Sequence, residues 1–214
     1  MSLNLYKYHT NPETITGFDQ VMNSVPDLAW EHIVGTFEDE DDYLDAIETG
    51  EIDLEELRKR EHVWAKSAEY SYLYAKNVLS GERFVKGEDA IATNAEYSYA
   101  YASYVLKGRF EKGEDAIATS ALYSYAYAKH VLKGERVEKI EDAIATDAWY
   151  SYRYARDVLK GERVEKFEDA IATSAHYSYM YAAYVLKKRF PKGEDAIHGS
   201  EYQEDYEQEF GIKL

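Results

Sequence analysis

Ala95 to Thr119 read A-E-Y-S-Y-A-Y-A-S-Y-V-L-K-G-R-F-E-K-G-E-D-A-I-A-T, and this phrase decides the fold because it returns four more times. Its other copies begin at Ala68, Ala121, Ala148 and Ala175, so five copies follow one another at spacings of 27, 26, 27 and 27 residues. The one-residue deletion falls in the linker, where Gly108-Arg109 stands against Gly134-Glu135-Arg136. A unit this short cannot bury its own apolar face, so copies must stack on one another.

Each copy opens with a helix signal. Ser67, Asn94, Ser120, Asp147 and Ser174 precede the five alanines, and all are residue types whose side chain accepts a bond from a first-turn N–H. Gly81, Gly108, Gly134 and Gly161 follow as helix terminators, with Lys188 in that place in the fifth copy. The E-D-A-I-A-T segment predicts a second, shorter helix, and Pro191 suits the start of one. On a helical wheel counted from the cap, positions 1, 4, 5, 8 and 12 share one side, with tyrosine or valine at 3, 7 and 11 beside them. This near-constant arc spans roughly 200° by that geometry, which predicts a helix wedged between two neighbours and mostly buried tyrosines.

The expected fold is therefore all-α: a right-handed α-solenoid-like array of about five helix-turn-short-helix repeats over residues 67–200. Residues 1–66 are expected to form an N-terminal helical cap, with short helices at Asn11-Pro12-Glu13, around Val25–Gly35 and from Glu51. Residues 201–214 form a C-terminal capping helix, announced by the capping-box spacing of Ser200-Glu201-Tyr202-Gln203. The segment 38–56 holds eleven acidic residues and no basic one.

Composition excludes several function classes. The chain has no cysteine, so disulfides, thiolate metal sites and a cysteine nucleophile are out. A net charge of −16 opposes a nucleic-acid backbone, and no direct nucleic-acid binding is expected. The absence of a long apolar run and of a signal-peptide core at Met1–Lys7 predicts a cytoplasmic protein with no membrane role.

No motif reads as catalytic, and no enzyme activity, cofactor or metal is expected. The pairs Glu88-Asp89, Glu114-Asp115, Glu141-Asp142, Glu168-Asp169 and Glu194-Asp195 recur in every copy, whereas acid–base catalysis needs one singular pair. They are better read as ion-pair partners of the equally regular Arg83, Arg109, Arg136, Arg163 and Arg189, of little individual worth if exposed. The six histidines lack metal-ligand spacing, and K-G-E-D lacks the pattern of a phosphate loop.

The variable arc carries the functional signal. At positions 2, 6 and 9 a solvated face predicts lysine and glutamate, yet copies three to five place Leu122, Trp149, Arg153, Arg156 and Met180 there. Tryptophan and arginine are the residues most enriched at binding hot spots, so these five form the candidate protein-binding site. The alternative is that Trp149 covers the edge of its own array or packs on the N-terminal segment. The block Glu38-Asp39-Glu40-Asp41-Asp42 is a second candidate binding element.

The phrase from Tyr97 to Ile117 resembles the short tyrosine-rich helical repeats of proteins from tailed bacteriophages and some large viruses, over residues 67–200. The resemblance implies a viral protein acting in the host cytoplasm, and a non-enzymatic role binding a host protein, modulating a host enzyme or defence factor. Two other readings stand beside it. The acidic block suits a nucleic-acid mimic seated in a basic groove, and stacked ends suit a structural or self-assembling role.

Overall fold

The computed structural model describes residues 58, 59 and 61–214. The acidic segment 38–56 and the helix starts read at Asn11, Val25 and Glu51 lie outside them. Every described element is helical, with no strand among the described residues. Contacts divide the chain into two compact units, one running up to Thr93 with Tyr104–Leu106 added, the other Asn94–Ser103 with Lys107–Leu214.

In the first unit, α1 (Glu61–Trp64) leads to the long helix α2 (Ala68–Leu73, continued by a π-helical turn Tyr74–Val78) and the short helix α3 (Glu88–Ile91). The core is aromatic: Trp64 stacks on Tyr74 at 6.5 Å, and Tyr74 meets Phe84 at 4.8 Å between ring centroids. The buried Ser71 hydroxyl donates to the Trp64 carbonyl, and the Tyr74 hydroxyl donates to Glu61 at 3.2 Å. Glu61 and Trp64 thus take the places of Glu and Ile in E-D-A-I, which makes Glu61–Lys66 the closing half of a further copy.

From Ala95 onward long and short helices alternate: α4 (Ala95–Ala100 and the π turn Tyr101–Leu106, whose last three residues belong to the first unit), α5 (Glu114–Ile117), α6 (Ala121–His130), α7 (Glu138–Ile144), α8 (Ala148–Asp157), α9 (Glu165–Ile171), α10 (Ala175–Met180 and the π turn Tyr181–Leu186), α11 (Pro191–Ile197) and α12 (Gln203–Phe210). Each long helix packs on its own short helix and on the next long one, giving a solenoid-like stack. The caps act as expected, for Asn94, Ser120, Asp147 and Ser174 each accept from the backbone N–H three residues on, at 3.0–3.5 Å.

Two local features depart from the expected helix. The π winding, marked by the i→i+5 bonds from Leu132 N–H to Tyr127 and from Leu159 N–H to Tyr154, turns the last residues out of phase with the wheel. Of the position-12 leucines only Leu132 is buried, while Leu106, Leu159 and Leu186 are half-buried. The helix end is also not the glycine. Ser80, Lys107, Lys133, Lys160 and Lys187 adopt the left-handed conformation, at φ 50–55°, despite the cost to a residue with a Cβ. Gly81, Gly134 and Gly161 add a second positive φ, only where the linker is one residue longer. Copies two and five need no such glycine, which is why Lys188 fits.

Tyrosine burial is graded. Tyr74, Tyr101, Tyr127, Tyr154 and Tyr181 at position 7 are fully buried, whereas Tyr97, Tyr123, Tyr150 and Tyr177 at position 3 are half-buried. Against each position-7 ring the chain builds one of two arrangements. In copies one, two and five a phenylalanine (Phe84, Phe110, Phe190) is followed three residues later by glycine (Gly87, Gly113, Gly193). A Cβ on Gly113 would lie 2.5 Å from the Phe110 ring and 2.7 Å from the Ser98 Cβ, so no larger residue fits. In copies three and four Val137 and Val164 replace the phenylalanine, and buried Ile140 and Phe167 replace the glycine. The same space is filled from the other position, with Phe167 4.9 Å from Tyr154 and Phe110 5.3 Å from Tyr101.

This exchange makes a quantitative expectation. Phe110→Val and Gly113→Ile should each destabilise by roughly 1–3 kcal/mol, one by leaving a void and the other by overpacking. Together they should cost clearly less than the sum in urea unfolding. Additive losses would mean that the two positions do not share one space.

Candidate functional site

The recurrent carboxylates are structural: the glutamates pair with the recurrent arginines, and they do so from buried positions. Glu114, Glu141 and Glu168 are buried, while Asp115, Asp142 and Asp169 are exposed. Each glutamate takes a two-pronged bond from the arginine five residues earlier: Arg136 reaches Glu141 at 2.6 and 3.0 Å, Arg163 reaches Glu168 at 2.5 and 2.7 Å. Each also accepts from the next copy's position-7 tyrosine: Tyr127 to Glu114 at 3.2 Å, Tyr154 to Glu141 at 2.9 Å, Tyr181 to Glu168 at 3.0 Å. Tyr206 of α12 does the same for Glu194 at 2.9 Å, so the last helix completes the series as a shortened sixth long helix. The neighbouring aspartates meet the next copy's lysine: Lys139 to Asp115, Lys166 to Asp142, Lys192 to Asp169.

Burial pushes the Tyr127, Tyr154 and Tyr181 hydroxyls above the usual phenol range, and that of Tyr206 up to about 12, so all remain donors. Burial works against the charge on Glu168, but bonds from Arg163 and Tyr181 outweigh it and hold the carboxyl below its usual range. At Glu194 the bond from Arg189 has the same result.

A second set of aromatic contacts runs nearer the surface. The position-5 ring of one copy meets the position-3 ring of the next: Tyr99 with Tyr123 at 6.2 Å, Tyr125 with Tyr150 at 5.9 Å, Tyr152 stacked on Tyr177 at 6.1 Å. A cation at position 9 lies over the position-5 ring of its own helix, as Lys129 over Tyr125 at 5.5 Å and Arg156 over Tyr152 at 5.3 Å.

On this ladder copy four is singular. Half-buried Trp149 packs on Tyr152 and Tyr177, at 6.1 and 5.4 Å, and the Arg153 guanidinium lies over its ring at 5.0 Å. The Asp157 carboxylate accepts from Arg153 at 3.2 Å, Arg156 at 2.6 Å, Lys129 at 3.0 Å and the Tyr125 hydroxyl at 2.5 Å. Partial burial opposes its charge, yet the bonds from Arg156, Tyr125 and Lys129 hold it well below the usual carboxylate range. Three cations share this one carboxylate.

Of the residues singled out in the sequence, Trp149, Arg153 and Arg156 therefore sit together on α8. Leu122 is 45% exposed on α6 and Met180 is half-buried on α10, the long helices packed on either side. Glu38, Asp39, Glu40, Asp41 and Asp42 lie outside the described residues. Sequence reasoning missed Tyr125, Lys129 and Asp157. The signal was present at position 10, where Asn77, Tyr104, His130 and Tyr184 stand in the other copies and Asp157 is the lone carboxylate.

Among the described residues no group of three or more histidines, aspartates and glutamates is suited to hold a metal ion, and no helix is long and apolar enough to cross a membrane. No protein-family model matches the sequence, and comparison with curated proteins and with solved structures gives no match.

Lowered carboxylate pKa values fix the direction of acid sensitivity. Their contribution is complete above the unfolded-state values, about 4, and is lost as pH falls through the lower folded values. Glu168→Gln should therefore melt well below the wild type near neutrality, and the gap should narrow as pH falls toward about 2.5. A gap independent of pH would show that the charge on Glu168 contributes nothing.

Proposed function

We propose that the protein is a non-catalytic interaction protein that binds another protein through the face centred on Trp149. The observation that carries this reading is the departure of copy four from its neighbours. Positions that elsewhere hold Glu69, Glu96 or Ala100 hold Trp149 and Arg153 here, joined to Arg156, Lys129 and Asp157. Packing requires the tyrosines, serines and buried glutamates in every copy, but it does not require this set.

The arrangement supports binding in two ways. The rings and the Arg153 guanidinium are already fixed by stacking on one another, so little ordering remains to oppose association. Tryptophan and arginine also contribute large contact areas where partners bind most strongly. The repeated Glu-Asp pairs are engaged in holding copies together, which supports a non-enzymatic reading. The resemblance to viral repeat proteins makes a host protein the expected partner, with modulation or inhibition of a host enzyme or defence factor as the consequence.

Affinity capture from host cells, with wild type and Trp149→Ala side by side, tests the reading. Trp149 packs on Tyr152, Tyr177 and Arg153, so its removal should cost roughly 2–3 kcal/mol of stability and leave the fold intact. Binding of a specific protein should fall by about 2 kcal/mol or more. Identical capture by both forms would remove this face from consideration.

A further inference from the structure

The face on α8 carries more positive charge than it neutralises. Elsewhere in the ion pairs of the second unit each arginine or lysine has a carboxylate of its own, and Arg109 meets three, on Glu111, Glu114 and Glu135. Around Asp157 the balance reverses, with Lys129, Arg153 and Arg156 against one carboxylate. The side chains of Arg153 and Arg156 are 28% and 40% exposed, so the excess faces water. A guanidinium has five N–H donors. Arg153 engages Asp157 and the Tyr125 hydroxyl, and Arg156 gives one to Asp157 and one to the Tyr152 hydroxyl. Donors therefore remain on both for a further acceptor.

Apolar side chains flank the cations. Two of the four large hydrophobic residues exposed among the described residues are Leu122 and Tyr184. They stand on α6 and α10, the two helices that pack against α8 from either side.

We propose that this face receives an acidic peptide segment of a partner protein, with a carboxylate taken up by Arg153 and Arg156 and apolar side chains beside it resting toward Trp149, Leu122 and Tyr184. This rests on the reading of the Trp149 face as the interaction surface. Charge complementarity argues for carboxylates, and the shortness of the cationic patch argues for a short acidic segment. A polyanion extending beyond three side chains meets a protein of net charge −16.

Three fluorescein-labelled probes separate the possibilities by anisotropy: a short peptide alternating glutamate with leucine and phenylalanine, the same peptide with glutamine for glutamate, and a single-stranded oligonucleotide of equal charge. The acidic peptide should bind at least tenfold tighter than the other two and weaken as salt rises. Arg153→Gln with Arg156→Gln should weaken it about tenfold or more, and Arg153→Lys with Arg156→Lys should restore part of the affinity. Asp157→Asn should tighten binding several-fold, because it removes the internal competitor for the same donors. A cluster serving only stability gives no such gain. Melting curves establish that each variant is folded.

Equal binding of the acidic and glutamine peptides, tighter binding of the oligonucleotide, or a folded Asp157→Asn protein that binds no better would each overturn the proposal. If the acidic peptide fails while Trp149→Ala still loses its captured protein, the acidic-segment proposal is wrong and the interaction face stands. If Trp149→Ala captures what the wild type captures, the face itself is wrong.

Discussion

Glu114, Glu141 and Glu168 lie inside the protein, where an unpaired carboxylate is strongly destabilising. Each is satisfied by two groups from different places: the arginine of its own linker and the tyrosine hydroxyl of the following copy. Neither alone meets the needs of a buried carboxylate, so the interior of one copy is complete only when the next is in place. This is how a repeat of 26 or 27 residues becomes cooperative with its neighbour rather than merely adjacent. The requirement also explains α12. Helix Gln203–Phe210 shares little of the repeat phrase, yet it delivers Tyr206 to Glu194 and to the Phe190 N–H, the same pair of contacts that Tyr127 makes with Glu114 and Phe110.

Around that fixed link the remaining positions are free to vary in coupled ways. The buried serine of each long helix is small because the short helix crosses close to it, as the Cβ positions at Gly113 and Gly193 make plain. Where the glycine is absent, valine takes the place of phenylalanine, and the volume around the position-7 tyrosine is conserved. Variation on the outer arc has no such partner inside the fold. The set on α8 is the case where outer-arc residues become organised, through Asp157, into a cluster with its own electrostatic character.

Much of this was legible in the sequence, and the reasons for the rest are physical. Repeat period, cap residues and the wheel gave the all-α stack and the start of each long helix, because those depend on local backbone chemistry. The sequence pairs each Glu-Asp with an arginine but does not say which acid of the two turns inward. Only the tertiary contact with Tyr154 or Tyr181 reveals that Glu141 and Glu168 turn inward while Asp142 and Asp169 turn out. The lysines at φ near 50° were hidden for a similar reason, since glycine beside them was the obvious candidate for that conformation. At the candidate site Trp149, Arg153 and Arg156 stood out by residue type. Lys129 and Tyr125 did not, because their role depends on a carboxylate contributed by the adjacent helix.

The central claim is that the buried glutamate and the tyrosine of the next copy act as one unit. A double-mutant cycle on Glu141 and Tyr154 measures this directly, with unfolding free energies for Glu141→Leu, Tyr154→Phe and the pair. The account predicts a coupling energy of about 1 kcal/mol or more, with the double variant losing clearly less stability than the two single losses combined. Strict additivity would contradict it.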